Sequence, residues 1–220
     1  MAARKQLLSL LEGPLESQHY ITSLSEIGDS LSQWRAYCKR GGLSIGFSPN
    51  ALLGAGVIDK LGGVQRFDLE ILKVRYISDG SFSQATNDLL EFFDIWLSEA
   101  ENPEQRKNLF ENTLGSVVCH YKHDGFSEER EWRLVVSDES PLTDLHCDFR
   151  CSPSVLIPYK VVRLLGGADS ARSLEQIITE VIIGPGPHMQ LNQRSIRMYF
   201  DQLGLEGIPV RCSSIPYRDW

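Results

Sequence analysis

The sequence predicts an α+β fold, with a mixed, mostly antiparallel sheet and packed helices. Three observations lead there: short period-two segments recur along the whole chain, helical-period segments lie between some of them but not all, and nothing enforces the strict strand–helix alternation of a parallel sheet. At 220 residues the natural reading is one domain over residues 1–220, burying roughly 70% of its extended-chain surface.

Leucines at 7, 8, 10 and 11 predict an opening helix over Arg4 to Leu11, which Gly13 and Pro14 stop. His19 to Ser25 alternates as a strand, with Tyr20, Thr22 and Leu24 on one face and Ile21, Ser23 and Ser25 on the other. Ser30 and Gln33 have the spacing of a capping box before a short helix that ends near Lys39. Leu43, Ile45 and Phe47 alternate as a second strand. Gly54, Gly56, Gly62 and Gly63 argue against a long helix over residues 51–65, and Phe67 to Ile77 reads as one strand.

Leu89, Leu90, Phe93, Trp96 and Leu97 have helical spacing, broken at Asn102-Pro103. A further helix runs from Glu104 toward Tyr121. Strands follow at Glu129 to Val136, Val155 to Pro158 and Glu180 to Gly184. A helix from Met189 to Leu203, with Gly204 at its C′ position, precedes a last strand at Ile208 to Ser213.

Charge and composition exclude several classes. With 22 Lys plus Arg against 29 Asp plus Glu, the net charge is −7, which gives no general attraction for nucleic acid or an anionic membrane surface. The start has no h-region of secretory type. Five cysteines, an odd number without repeated spacing, suit free thiols, so a cytoplasmic location is expected. There is no nucleophile elbow, phosphate loop or dinucleotide fingerprint. No metal site is expected either, since His146-Cys147-x-x-x-Cys151 lacks a second ligand pair.

The densest run of ionisable residues is Lys122 to Arg133. On a strand beginning near Glu129, Glu129, Glu131 and Arg133 share one face and Trp132, Leu134 and Val136 the other. The charged face is either a solvated ladder of ion pairs or a cleft in which a carboxylate stabilises positive charge developing on a sugar carbon. Ser23 and Ser25 either contact a ligand or cap backbone groups. Trp34 and Tyr37 share a helix face suited to core packing, while Arg35 points elsewhere and is placed to fork onto a carboxylate such as Glu131. His123 is either a general base or a surface loop histidine. Ile182 to Pro187 leads from strand to helix, where free amides can hold an anion, but two prolines remove two donors.

Taken in order, TSLSE (Thr22 to Glu26), LSQWRAY (Leu31 to Tyr37), GLSIGF (Gly42 to Phe47), KHDGFSEEREWRLV (Lys122 to Val135), IIGPGP (Ile182 to Pro187) and SSIPYR (Ser213 to Arg218) resemble an uncharacterised prokaryotic domain-of-unknown-function family over nearly the whole chain. Leu24 stands where that family usually has Phe. The family's usual opening strand and Asn-Asp-Pro loop are not visible before Thr22, so the chain reads as shortened at its front or as a branch without that element. A looser resemblance is to ADP-ribosyltransferase folds, with Ser23-Leu24-Ser25 as the serine strand and Glu129-Arg130-Glu131 as the Glu-x-Glu loop. That resemblance implies NAD as substrate: Glu131 bonds the nicotinamide ribose, Ser23 steadies the site and Glu129 directs the acceptor. The anchoring Arg or His of such enzymes has only His19 as a substitute here.

The expected site is therefore Glu131 and Glu129 as catalytic carboxylates, with Ser23, Ser25, Arg35 and Arg133 binding the ligand. The expected ligand is a nucleotide, most concretely NAD, turned over by an ADP-ribosyltransferase or NAD glycohydrolase in a setting of stress, toxin or phage defence that the family resemblance suggests. Two rivals remain: a non-catalytic ligand-binding or protein-interaction domain, and a Mg²⁺-dependent phosphodiester hydrolase.

Overall fold

The computed structural model describes residues 18–38, 41–53, 56–58, 64–65, 69–78, 102, 114–115, 117–138, 147–163 and 174–216. In chain order they form β1 (Gln18–Ser25), α1 (Leu31–Tyr37), β2 (Leu43–Phe47), α2 (Pro49–Leu53), β3 (Gly56–Ile58), β4 (Val64–Gln65), β5 (Leu69–Lys73), β6 (Arg75–Ile77), β7 (Tyr121–His123), a 3₁₀ turn (Asp124–Glu129), β8 (Glu131–Asp138), β9 (Asp148–Cys151), β10 (Leu156–Tyr159), β11 (Val162–Arg163), α3 (Leu174–Ile177), β12 (Ile178–Ile183), α4 (Met189–Leu203) and β13 (Val210–Cys212). Pairings among them are mixed and mostly antiparallel, so the fold is α+β. Among the described residues no helix is long and apolar enough to cross a membrane.

Two compact units divide the chain. One holds Met1–Leu24, Val57–Ser127 and Trp132–Val161, the other Ser25–Gly56, Glu128–Glu131 and Val162–Trp220. In the second unit, β12 is the central strand, parallel to β13 and antiparallel to β2. The parallel pair is joined through α4, whose Met189, Ile196 and Phe200 recur at helical spacing and pack on Val181, Ile183, Leu205, Ile208 and Val210. On the same face Gln193 and Arg197 donate to the Val210 carbonyl, at 2.9 and 3.1 Å. Gly204 ends α4 at φ +68°, a left-handed position that strains a residue bearing a β-carbon. Beyond the other end of β12, Gly184 lies under the Trp34 ring: a β-carbon there would sit 2.9 Å from Cε3 and Cζ3. That close approach holds the Gly184 amide on the Gly42 carbonyl at 2.8 Å.

In the first unit, β8 is central between β1 and β5. Leu134, Val135 and Val136 are all buried, as a strand covered on both faces requires. β5 pairs with it antiparallel from Leu69↔Val136 to Lys73↔Trp132. The expected single strand from Phe67 to Ile77 is interrupted: Val74 turns into the core, and Arg75 to Ile77 leave β8 to run parallel to β7. Residues 67–68 lie outside the described residues, as do the helices expected over Arg4 to Leu11 and from Leu89 to Leu97 and most of the one beginning at Glu104. β9 and β10 form a hairpin whose turn is held by Ser152, its amide and hydroxyl both reaching the Val155 carbonyl at 3.0 and 2.9 Å.

The capping box also differs. Ser30 occupies the N-cap of α1 but makes no side-chain cap bond; its hydroxyl pairs with Ser32 Oγ at 2.9 Å. A neighbouring hydroxyl thus competes successfully with the backbone amide.

Candidate functional site

Period-two alternation does not extend back to Glu129. β8 begins at Glu131, and Glu129 closes the 3₁₀ turn. Between them Arg130 has φ +42°, a left-handed conformation that costs a residue with a β-carbon about 1–2 kcal/mol. The kink is tied to the end of β1. Ser25 Oγ donates to the Glu129 carbonyl at 2.7 Å and accepts the Ile27 amide at 3.1 Å, while the Glu26 amide donates to the Arg130 carbonyl at 3.1 Å. Ser25 is therefore committed to backbone groups.

Glu131, the first residue after the kink, is only 3% exposed. Carboxylates are seldom fully buried without partners, and Glu131 has interactions of its own. A solvated ladder of ion pairs does not describe it. Replacing Arg130 by Gly should leave stability unchanged or raise it by up to about 1 kcal/mol, since relief of the left-handed strain offsets the greater freedom of the unfolded chain. Arg130→Val should lower it by about 1–2 kcal/mol; urea midpoints of the two variants check both.

The remaining expected site residues fall in different surroundings. Ser23 is exposed on β1. Arg133 reaches with NH1 to the carbonyls of Cys119, at 2.7 Å, and Tyr121, at 3.5 Å, so these bonds anchor the start of β7 and the residues just before it. Arg35 is exposed in the last turn of α1, and no ion pair joins it to Glu131 among the described residues. Trp34 packs in the core as expected, but Tyr37 is exposed, because the seven-residue helix ends before its last turn can be covered. His123, the last residue of β7, accepts the Gly125 amide on Nδ1 at 3.0 Å and lies exposed beside Asp124, bound to the turn that follows it. Cys147 is buried and Cys151 exposed; His146 lies outside the described residues. Among those residues no three His, Cys, Asp or Glu side chains gather as for a metal ion.

Two polar clusters went unread in the sequence. Asp29 takes the Trp34 indole at 2.8 Å and the Ser213 hydroxyl at 2.5 Å on Oδ1, and the Ser214 amide and hydroxyl at 2.9 and 3.1 Å on Oδ2. Arg211 NH1 lies 3.9 Å away and is itself held by Glu180 through Nε at 2.9 Å. Burial raises the Asp29 carboxyl, but the Ser213, Trp34 and Ser214 hydrogen bonds together outweigh it and hold the group below the ordinary carboxylate range. The other cluster is Asp138 with Lys160, in contact and almost wholly buried, beside Tyr20, whose ring lies 5.5 Å from the ammonium. A single acid at the end of an apolar strand was the available hint at Asp138, and the paired serines of SSIPYR were the hint at Asp29.

No curated protein and no solved structure matches the chain. Residues 33–134, the stretch that carries Trp34, Arg35, Glu129, Glu131 and Arg133, match the model of a family described as Protein of unknown function (DUF2971).

Proposed function

We propose that the chain binds a nucleotide, most concretely NAD, and cleaves its nicotinamide–ribose bond in the manner of ADP-ribosyltransferases or NAD glycohydrolases. The observation that carries this reading is the buried Glu131 carboxylate, fixed at a strand start directly after the left-handed Arg130. Strained backbone beside a buried ionisable group is a common arrangement at functional sites. In this chemistry the C–N bond breaks with its electron pair leaving on nicotinamide. Positive charge then develops on the ribose carbon, and Glu131 stabilises it while accepting a ribose hydroxyl. Glu129, two residues earlier at the end of the 3₁₀ turn, directs the incoming acceptor, either water or a group to be modified. Ser25 acts through the backbone of Glu129, as a positioning residue.

Nicotinamide release from NAD is the test. Turnover abolished by Glu131→Gln and retained by Glu128→Gln supports the reading; no release at any protein concentration, with or without candidate acceptors, refutes it. A non-catalytic binding or interaction domain is the second reading. It draws on Ser25 and Arg133, each of which donates a hydrogen bond to a main-chain carbonyl. A rise in melting temperature with NAD but no turnover would favour it.

A further inference from the structure

We infer that His19 makes the packing of the helical residues 114–115 and 117–120 against the sheet of β1, β8 and β5 sensitive to acid, so that this segment loosens when the imidazole takes up a proton. The inference is independent of any turnover of NAD.

The geometry starts from one face of the sheet. Glu70 lies opposite Val135 in the β5–β8 register, so by alternation Glu70, Arg133, Val135 and Ser137 share that face. His19 joins them from β1, its Nδ1 3.1 Å from Ser137 Oγ. Its Nε2 is buried and meets no hydrogen-bond partner among the described residues. Gly115 lies directly against this nitrogen: a β-carbon there would overlap Nε2 and Cδ2 of the imidazole. The segment is held a second time, by Arg133 on the Cys119 carbonyl. His19 and Arg133 thus fasten the same stretch at two points one helical turn apart.

Among the described residues, the titratable and charged groups on this face and on the segment against it are Glu70 on β5, Arg133 on β8 and Cys119 on the helical residues, with His120 the other titratable group of that segment. Glu70 acts on both His19 and Cys119, and Arg133 on Cys119. The neutral ring that leaves least unsatisfied carries its proton on Nδ1 and donates to Ser137, leaving an unused lone pair on Nε2. A second proton on Nε2 would introduce a buried donor without an acceptor, together with a charge, in a space that Gly115 closes.

Burial lowers the affinity of His19 for a proton and Glu70 only partly restores it. A histidine depressed in the folded state contributes stability above its unfolded value, about 6.5, and loses it as pH falls through the folded value. Acidification therefore releases the segment; a rise in pH does not.

Hydrogen exchange of the amides of residues 117–120, corrected for intrinsic rates and compared at pH 7.5 and 5, reads the release. An about tenfold loss of protection at the lower pH is expected in the native chain and in His120→Gln, and none in His19→Gln. Unchanged protection in the native chain, or the same loss in His19→Gln, overturns the inference. If His19→Gln does not fold, NMR titration of the native ring decides. A midpoint below about 6.5 that the Cys119 amide follows supports it, and a midpoint at or above that value, or a Cys119 amide that does not respond, overturns it.

Discussion

Lys160→Met is expected to destabilise the protein by about 3–5 kcal/mol, as the loss of one partner of a buried ion pair does. The ammonium and the Asp138 carboxylate are in contact, their side chains 2% and 1% exposed. Asp138 stands at the end of β8, separated by Ser137 alone from the deeply buried run Leu134 to Val136. Removing the cation leaves a carboxylate that must either take up a proton or open the sheet. Tyr20 offers no compensation, because burial, the Cys147 thiol and the Asp138 charge all push its hydroxyl toward the protonated form. The pair itself contributes little net stability, since desolvating two charges offsets most of their attraction. The double variant Asp138→Leu with Lys160→Met should therefore recover most of the loss in urea denaturation. A double variant no more stable than Lys160→Met alone would mean that the cost lies in packing rather than in the uncompensated charge.

Some of this architecture can be read locally and some cannot. The helix from Met189 to Leu203 shows its apolar period and its terminal glycine within a single stretch of chain, and the structure follows both limits. β1 and β2 reveal themselves by alternation in the same way. β8 is different. Its alternation names the residues on each face, but whether a face is covered depends on elements elsewhere, and both faces proved to be occupied. Arg133 looked like a ligand-binding cation because its sequence neighbours are carboxylates, yet its NH1 reaches main-chain carbonyls, which leave no trace in residue type. Glu129 and Glu131 were legible as a pair, while the left-handed Arg130 that separates them from a common strand was not, since any residue type other than proline can be forced there when the surroundings require it. Ser25 was readable only as a choice between ligand and backbone, and the backbone of Glu129 took it.

Asp29 marks the limit of that legibility, with serine partners 184 and 185 positions away, and its removal is the second large effect. Asp29→Ala should cost about 3–4 kcal/mol. It strips the acceptor from four donors at once, and hydrogen bonds to a charged group contribute about 1.5–3 kcal/mol each before water replaces those at the more exposed end. The indole of Trp34 loses its partner inside the core while its ring still covers Gly184. Ser213 and Ser214 lose their tie to the start of α1, and Arg211 keeps only Glu180. Asp29→Asn should be milder: its carbonyl oxygen can still serve the indole and the Ser213 hydroxyl, but its amide then faces the Ser214 amide, donor against donor. The pH dependence separates charge from shape. A carboxyl held below its unfolded value, about 3.9, stabilises the fold above that pH and loses its contribution as pH falls through the folded value. The native chain should thus lose stability more steeply than Asp29→Ala below about pH 4, with the Trp34 indole proton resonance shifting over the same interval. Parallel acid profiles for the two proteins would show that Asp29 acts by filling space, with no contribution from its charge.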